Sequence, residues 1–166
     1  MVGLDQYVTI ATDVSSDHEH GITTWACYIR HDGGVIKYVA PFKEHYVNTA
    51  LAETYALANA LVLAEKSIKD WSRSKVIIYN EVAIVLSPCK TKAGNIRKRD
   101  AIRSEQIMKI SLPILNRAKS YELRDIKAHY KHWRTDANPA KYAINRWCDV
   151  ESRTLLRYLR RQKKRK

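Results

Sequence analysis

Residues 7–13, YVTIATD, set Tyr7, Val8 and Ile10 in a β-favouring run and predict a strand that stops at Asp13. Residues 23–30, TTWACYIR, and 35–40, VIKYVA, predict two more strands. Between them stands His31-Asp32-Gly33-Gly34, where glycine accepts the positive φ of a tight hairpin. The chain is therefore expected to begin as a three-strand antiparallel meander. Residues 51–66, LAETYALANALVLAEK, are rich in Ala and Leu and set Thr54, Leu57, Leu61 and Ala64 at helical spacing, with Asn48 or Thr49 as the cap. Residues 75–80, KVIIYN, form a continuous apolar run that predicts a strand buried on both faces. A strand, a helix and then a strand predict parallel pairing with the first strand.

Residues 87–100, SPCKTKAGNIRKRD, mix Pro, Gly and many bases and predict a loop or short protrusion. Helical character resumes over 101–119, with Ile102, Ile107, Ile110, Ile114 and Leu115 as its apolar positions and Pro113 placed to kink it. Residues 121–130, YELRDIKAHY, predict a fifth strand, and Asn138-Pro139 acts as a breaker. A last helix is expected over 144–160, with Trp147, Leu155, Leu156 and Leu159 as contacts. The order βββ-α-β-α-β-α defines an α/β fold, a mixed sheet with helices layered on it. One domain is expected over 1–159. A basic tail follows over 160–166, RRQKKRK, which holds no apolar residue and is expected to be disordered.

Composition narrows the classes. A chain of 166 residues supports a single core. No apolar run reaches about 18 residues, so no membrane span is expected. MVGLDQYV lacks a basic start followed by an apolar stretch, so no secretory signal is expected. Cys27, Cys89 and Cys148 form no CxxC pair, which argues against a zinc site or a disulfide framework and for a reducing, cytoplasmic or otherwise intracellular setting. The net charge of +13 is one-sided. Residues 1–86 hold 7 Lys/Arg against 10 Asp/Glu, a net of −3; residues 87–166 hold 23 against 7, a net of +16. Such a field favours a polyanion, of which nucleic acid is the commonest.

Four acids occupy similar places in the expected topology. Asp13 ends the first strand, Glu53 lies in the first turn of the first helix, Glu81 ends the fourth strand, and Asp149 lies near the start of the last helix. Open α/β sheets build their sites at the carboxyl ends of parallel strands, where Asp13 and Glu81 would meet. Clustered carboxylates repel unless cations compensate them. An oxygen-only set suits Mg²⁺ or Mn²⁺, and two such ions can drive phosphodiester hydrolysis with no Ser or Cys nucleophile.

In these segments the sequence resembles ribonuclease H of type 1. The resemblance runs over most of the chain and is carried by IATDVS (10–15), NTALAETYALANAL (48–61), VIIYNE (76–81) and NRWCDVES (145–152), in that order. It implies the ribonuclease H-like fold: a five-stranded mixed sheet, three antiparallel strands followed by parallel ones, flanked by helices. It also implies a monomeric endonuclease that cuts the RNA strand of RNA/DNA hybrids with two Mg²⁺ or Mn²⁺ ions held by Asp13, Glu53, Glu81 and Asp149. His129 is the first choice for the histidine that the family carries after its fifth strand, and His132 the second. Lys90, Lys92, Arg97, Lys98, Arg99 and Arg103 stand where many members carry a basic protrusion that grips the duplex. Trp133 and Arg134 are placed to pack on sugars or bases.

The chain departs from the family at two points. Its third acid is Glu81, where the family has Asp, and SSDHEHG (15–21) replaces the family's glycine-rich turn after the first Asp. Two other readings therefore stay open: a nuclease of this fold acting on DNA or branched junctions, and a non-catalytic nucleic-acid-binding module. Asp17, His18, Glu19 and His20 form a dense polar knot, expected to be a solvated turn.

Overall fold

A computed structural model describes residues 4–80, 98–126 and 139–165. Its elements are β1 (Gln6–Asp17), β2 (Ile22–His31), β3 (Gly34–Pro41), α1 (Thr49–Ser67), a 3₁₀ turn (Trp71–Arg73), β4 (Ser74–Asn80), α2 (Lys98–Arg117), β5 (Ser120–Asp125) and α3 (Pro139–Lys163). The five strands form one sheet in the order β3-β2-β1-β4-β5. β1/β2 and β2/β3 are antiparallel, whereas β1/β4 and β4/β5 are parallel. The expected mixed sheet is thus the observed one. The β2–β3 hairpin closes at the predicted turn, with His31 paired to Gly34 and Gly34 at φ 137°.

Both faces of the sheet are covered. On one, Val8, Ile10, Trp25, Ile29, Val76 and Ile78 pack against Leu57, Leu61 and the alanines of α1, and α2 adds Ile114 and Leu115. α1 buries residues almost all round, because it lies between the sheet and α2. Alanines at 56, 60 and 64 let it approach the strands closely. Asn48 caps it, its side chain accepting from Leu51 N at 3.3 Å. On the other face Ala11, Ala26 and Tyr79 pack against Cys148, with Tyr28 and Trp147 alongside. Among the described residues, no helix is long and apolar enough to cross a membrane.

Several expected boundaries move. β1 does not stop at Asp13; it runs on to Asp17, because Val14, Ser15 and Ser16 pair with Trp25, Thr24 and Thr23. α1 starts at Thr49, so Glu53 lies in its second turn and no acid occupies its first. α2 begins at Lys98, inside the expected loop, and contains Pro113. β5 ends at Asp125, and residues 127–130 of the longer expected strand lie outside the described residues. α3 begins at Pro139, so Asp149 sits about three turns into it rather than at its start. The same helix continues to Lys163, through most of the stretch expected to be a disordered tail. There Lys163 Nζ donates to His20 O at 2.6 Å, and Arg160 Nη1 lies 3.7 Å from Asp17 Oδ2.

Candidate active site

The parallel pairing of β1 with β4 ends at Ala11–Tyr79. Asp13 stands two residues beyond, opposite Ala26 of β2, and is 8% exposed. It is therefore mid-strand with respect to β2 and yet at the open carboxyl edge with respect to β4. A carboxylate buried this far requires partners. Ser152 Oγ, on α3, donates to Asp13 Oδ2 at 3.1 Å. Ser15 Oγ lies 2.9 Å from Ser152 Oγ, and with Ser15 as donor the Ser152 proton is left for the carboxylate. Thr24 Oγ1 donates to Ser152 O at 2.7 Å, which ties this turn of α3 to β2.

The other described acids approach from the helices. Glu53, on α1, is 5% exposed. Asp149, on α3, has a 14% exposed side chain and pairs through Oδ1 with Arg153 Nε at 2.7 Å. Cys148 precedes Asp149 on α3 and is buried against β1. Its Sγ donates to Ala11 O at 3.5 Å, and its pKa is raised, first by burial, then by Cys27 and the negative charges of Asp13 and Glu53. Cys27 is pushed up to about 12 by burial. Both thiols stay protonated and serve as small core residues.

At the end of β4, Asn80 is 1% exposed; its Nδ2 donates to Thr12 Oγ1 at 3.1 Å and its carbonyl accepts from Ile126 N at 3.1 Å. These bonds fix the strand end from which Glu81 departs. Glu81 itself lies outside the described residues, as do His129, His132, Trp133, Arg134, Lys90, Lys92 and Arg97. Lys98 opens α2, and its side chain is likewise outside them. Arg99 Nε lies 3.6 Å from Asp100 Oδ1. Arg103 Nη2 bonds Glu44 Oε2 at 2.8 Å, an ion pair that links α2 to the segment before α1.

The donor set is oxygen-only and its three described members are largely withdrawn from water, so it fits a hard divalent cation such as Mg²⁺ or Mn²⁺. The tightest group of potential ligands among the described residues is a different one. Ligand atoms of Asp17, Glu19 and His20 lie within 4.8 Å of one another in the β1–β2 turn, where Gly21 adopts φ 59°. The turn brings three of the four residues of the polar knot together, with His18 outside the group. Asp17 accepts from His20 N at 3.0 Å, and this bond holds its carboxyl below the usual range. The knot is a capped turn in which His18 and Glu19 are exposed, as expected, while Asp17 and His20 are largely covered.

Sequence reasoning missed Ser152, Asn80 and Asn145. Ser152 follows Asp149 by one turn and Asn145 precedes it by one, and both are buried polar residues on a helix whose outer face is basic. That contrast was a readable signal.

No family model matches the sequence, and no curated protein matches it. Solved structures match its shape. An RNase H1 isolated from compost by a metagenomic approach superposes with a TM-score of 0.61 at 14% identity, over 90% of this chain and 98% of that one. The N-terminal RNase H domain of a Mycobacterium tuberculosis protein gives 0.58 at 10% identity, over 92% and 98%. RNase H1 of the halophilic archaeon Halobacterium salinarum gives 0.54 at 14%, over 87% and 93%. The described residues share the fold of these ribonuclease H structures.

Proposed function

We propose that this chain is a metal-dependent endonuclease that hydrolyses the RNA strand of RNA/DNA hybrids. One observation supports the reading: Asp13, nearly buried just past the parallel pairing of β1 with β4, shares Ser152 Oγ with the Asp149 carbonyl of α3, and Glu53, nearly buried too, stands on α1 across the sheet. A binding module gains nothing from carboxylates that face phosphate. Asp13, Glu53, Glu81 and Asp149 would hold two Mg²⁺ or Mn²⁺ ions, and His129 or His132 would assist proton transfer or product release. Bound ions of this kind supply water activation and neutralise charge at the leaving oxygen. The chain's own part is to fix the acids: Ser152 orients Asp13, and the Asn80–Thr12 bond sets the end of β4. Lys90, Lys92, Arg97, Lys98, Arg99 and Arg103 would give the duplex salt-dependent affinity, and Trp133 and Arg134 would contact it near the histidine.

A second reading, the same chemistry on DNA or branched junctions, is favoured by the unbroken pairing of β1 through Val14, Ser15 and Ser16, where the resemblance would put a glycine-rich turn. One assay separates the two. The full chain is incubated with labelled hybrid, double-stranded RNA, duplex DNA and a four-way junction in Mg²⁺, Mn²⁺ or EDTA. Metal-dependent cleavage of the hybrid alone is expected. Junction or DNA cleavage selects the second reading, and binding without cutting in either metal overturns both.

A further inference from the structure

Along α3, Arg153, Arg157, Arg160 and Lys164 recur at i, i+4, i+7 and i+11, which sets four cations on one helix face. Lys164 belongs to this face because its N–H still donates to Arg160 O at 3.2 Å, one turn back. The stripe begins one turn beyond Asp149. Across from its first three members stand Val14, Ser15 and Ser16 of β1, and a groove of about 400 Å³ lies between, with Leu156 also in its wall. The lining holds three guanidinium groups, two hydroxyls and no carboxylate. Acids meet the stripe at its margins: Asp149 pairs with Arg153 at 2.7 Å, and Asp17 lies 3.7 Å from Arg160. Arg157 stands between them, exposed and without an ion pair to any described residue.

A helix face needs no groove merely to stay soluble. Here one wall is a strand that carries Asp13, the other is the helix that carries Asp149, and the cations lead away from both. From Arg153 to Lys164 the stripe covers roughly 16 Å at the α-helical rise, and a nucleic-acid strand in a duplex presents about one phosphate per 3.4 Å of axis. The stripe is thus long enough to meet several successive phosphates.

We propose that the groove between Val14–Ser16 and the Arg153–Lys164 stripe is a phosphate-binding track for the nucleic-acid strand leaving the acid cluster, with Arg157 on a backbone phosphate at its centre. This rests on the reading of the chain as a nucleic-acid enzyme and names the surface that holds the strand.

The test is hybrid-duplex binding by fluorescence anisotropy in EDTA, as a function of salt, with the full chain. Each lost phosphate contact makes log K fall less steeply with log salt, by about 0.9, and weakens binding roughly 8-fold at 0.1 M salt. Arg157→Gln is expected to show one such step and Arg157→Gln/Lys164→Gln two. Arg157→Lys, which keeps the charge, is expected to restore the wild-type slope. Lys69→Gln, in the turn before β4 at the opposite end of the sheet, is expected to change affinity less than about twofold. An unchanged slope in the double variant overturns the track, even if the wild type cuts the hybrid. Variant-dependent binding by a chain that cuts nothing in Mg²⁺ or Mn²⁺ leaves the track standing and removes the nuclease.

Discussion

Ser152 on α3 hydrogen-bonds Asp13 on β1, Oγ to Oδ2 at 3.1 Å, with the serine wholly buried and the carboxylate 8% exposed. The bond joins two elements separated by 139 positions in the chain. It is charge-assisted and shielded, so its removal leaves a buried carboxylate short of a donor. Ser152→Ala is expected to cost about 2 kcal/mol and to lower Tm by roughly 4–8 °C at this chain size. Thermal melts followed by circular dichroism check it. A melt within a degree of wild type would show that Asp13 does not depend on this donor.

Asp13→Asn keeps the shape of the side chain and its hydrogen-bonding oxygen while removing the charge. Cleavage in Mg²⁺ or Mn²⁺ is expected to disappear, and hybrid binding in EDTA is expected to persist. The check is a gel assay of labelled hybrid beside an anisotropy titration. Turnover equal to wild type would sink the assignment of Asp13.

The existence and chain order of the strands and helices were legible because period-2 and period-3.6 patterns record which face is buried. What local pattern could not supply was how far each pairing runs. Ser15 and Ser16 look like a strand end, but β2 has Thr24 and Thr23 opposite them, and the ladder holds them in β1. Asn138-Pro139 reads as a breaker, yet proline at a first helical position starts a helix as well as it stops one. The stretch from Arg160 to Lys163 has no apolar residue of its own; its helix is an extension of a packed one, anchored on His20 O by Lys163. Asp13, Glu53 and Asp149 were singled out from topology, and all three prove largely covered. Their supports were not singled out, because Ser152 and Asn80 have meaning only once the strands and α3 are assembled.

Leu57, on α1, is fully buried between the sheet and α2. Its truncation removes contacts to both layers and leaves a cavity. Leu57→Ala is expected to destabilise the fold by about 2–5 kcal/mol. Denaturant titration is expected to lower the midpoint with an unchanged m-value. A changed m-value would mean that α1 detaches from the sheet instead of unfolding with it.

Acid should loosen the molecule at identifiable points. Lys119 Nζ bonds Asp5 at 2.7 and 2.8 Å, Lys75 Nζ lies 3.1 Å from the same carboxylate, and these contacts, Lys119 first, lower the Asp5 pKa. Arg117 lowers Glu65 and Arg124 lowers Glu122 in the same way. A carboxylate with a depressed folded pKa binds its proton more readily in the unfolded chain. Its contribution is therefore fully present above the unfolded value near 4 and is lost as pH falls through the folded value. Wild-type Tm is expected to hold its carboxylate contribution from pH 7 to about 5 and to lose it below about 4. Lys119→Met isolates one clasp: it melts below wild type at neutral pH, and the gap closes in acid because protonated Asp5 no longer prefers the ammonium. Added salt narrows the gap at neutral pH, since the pair is exposed. A gap of equal size at pH 7 and pH 2.5 would mean that Lys119 acts through the packing of its methylene stem and not through its charge.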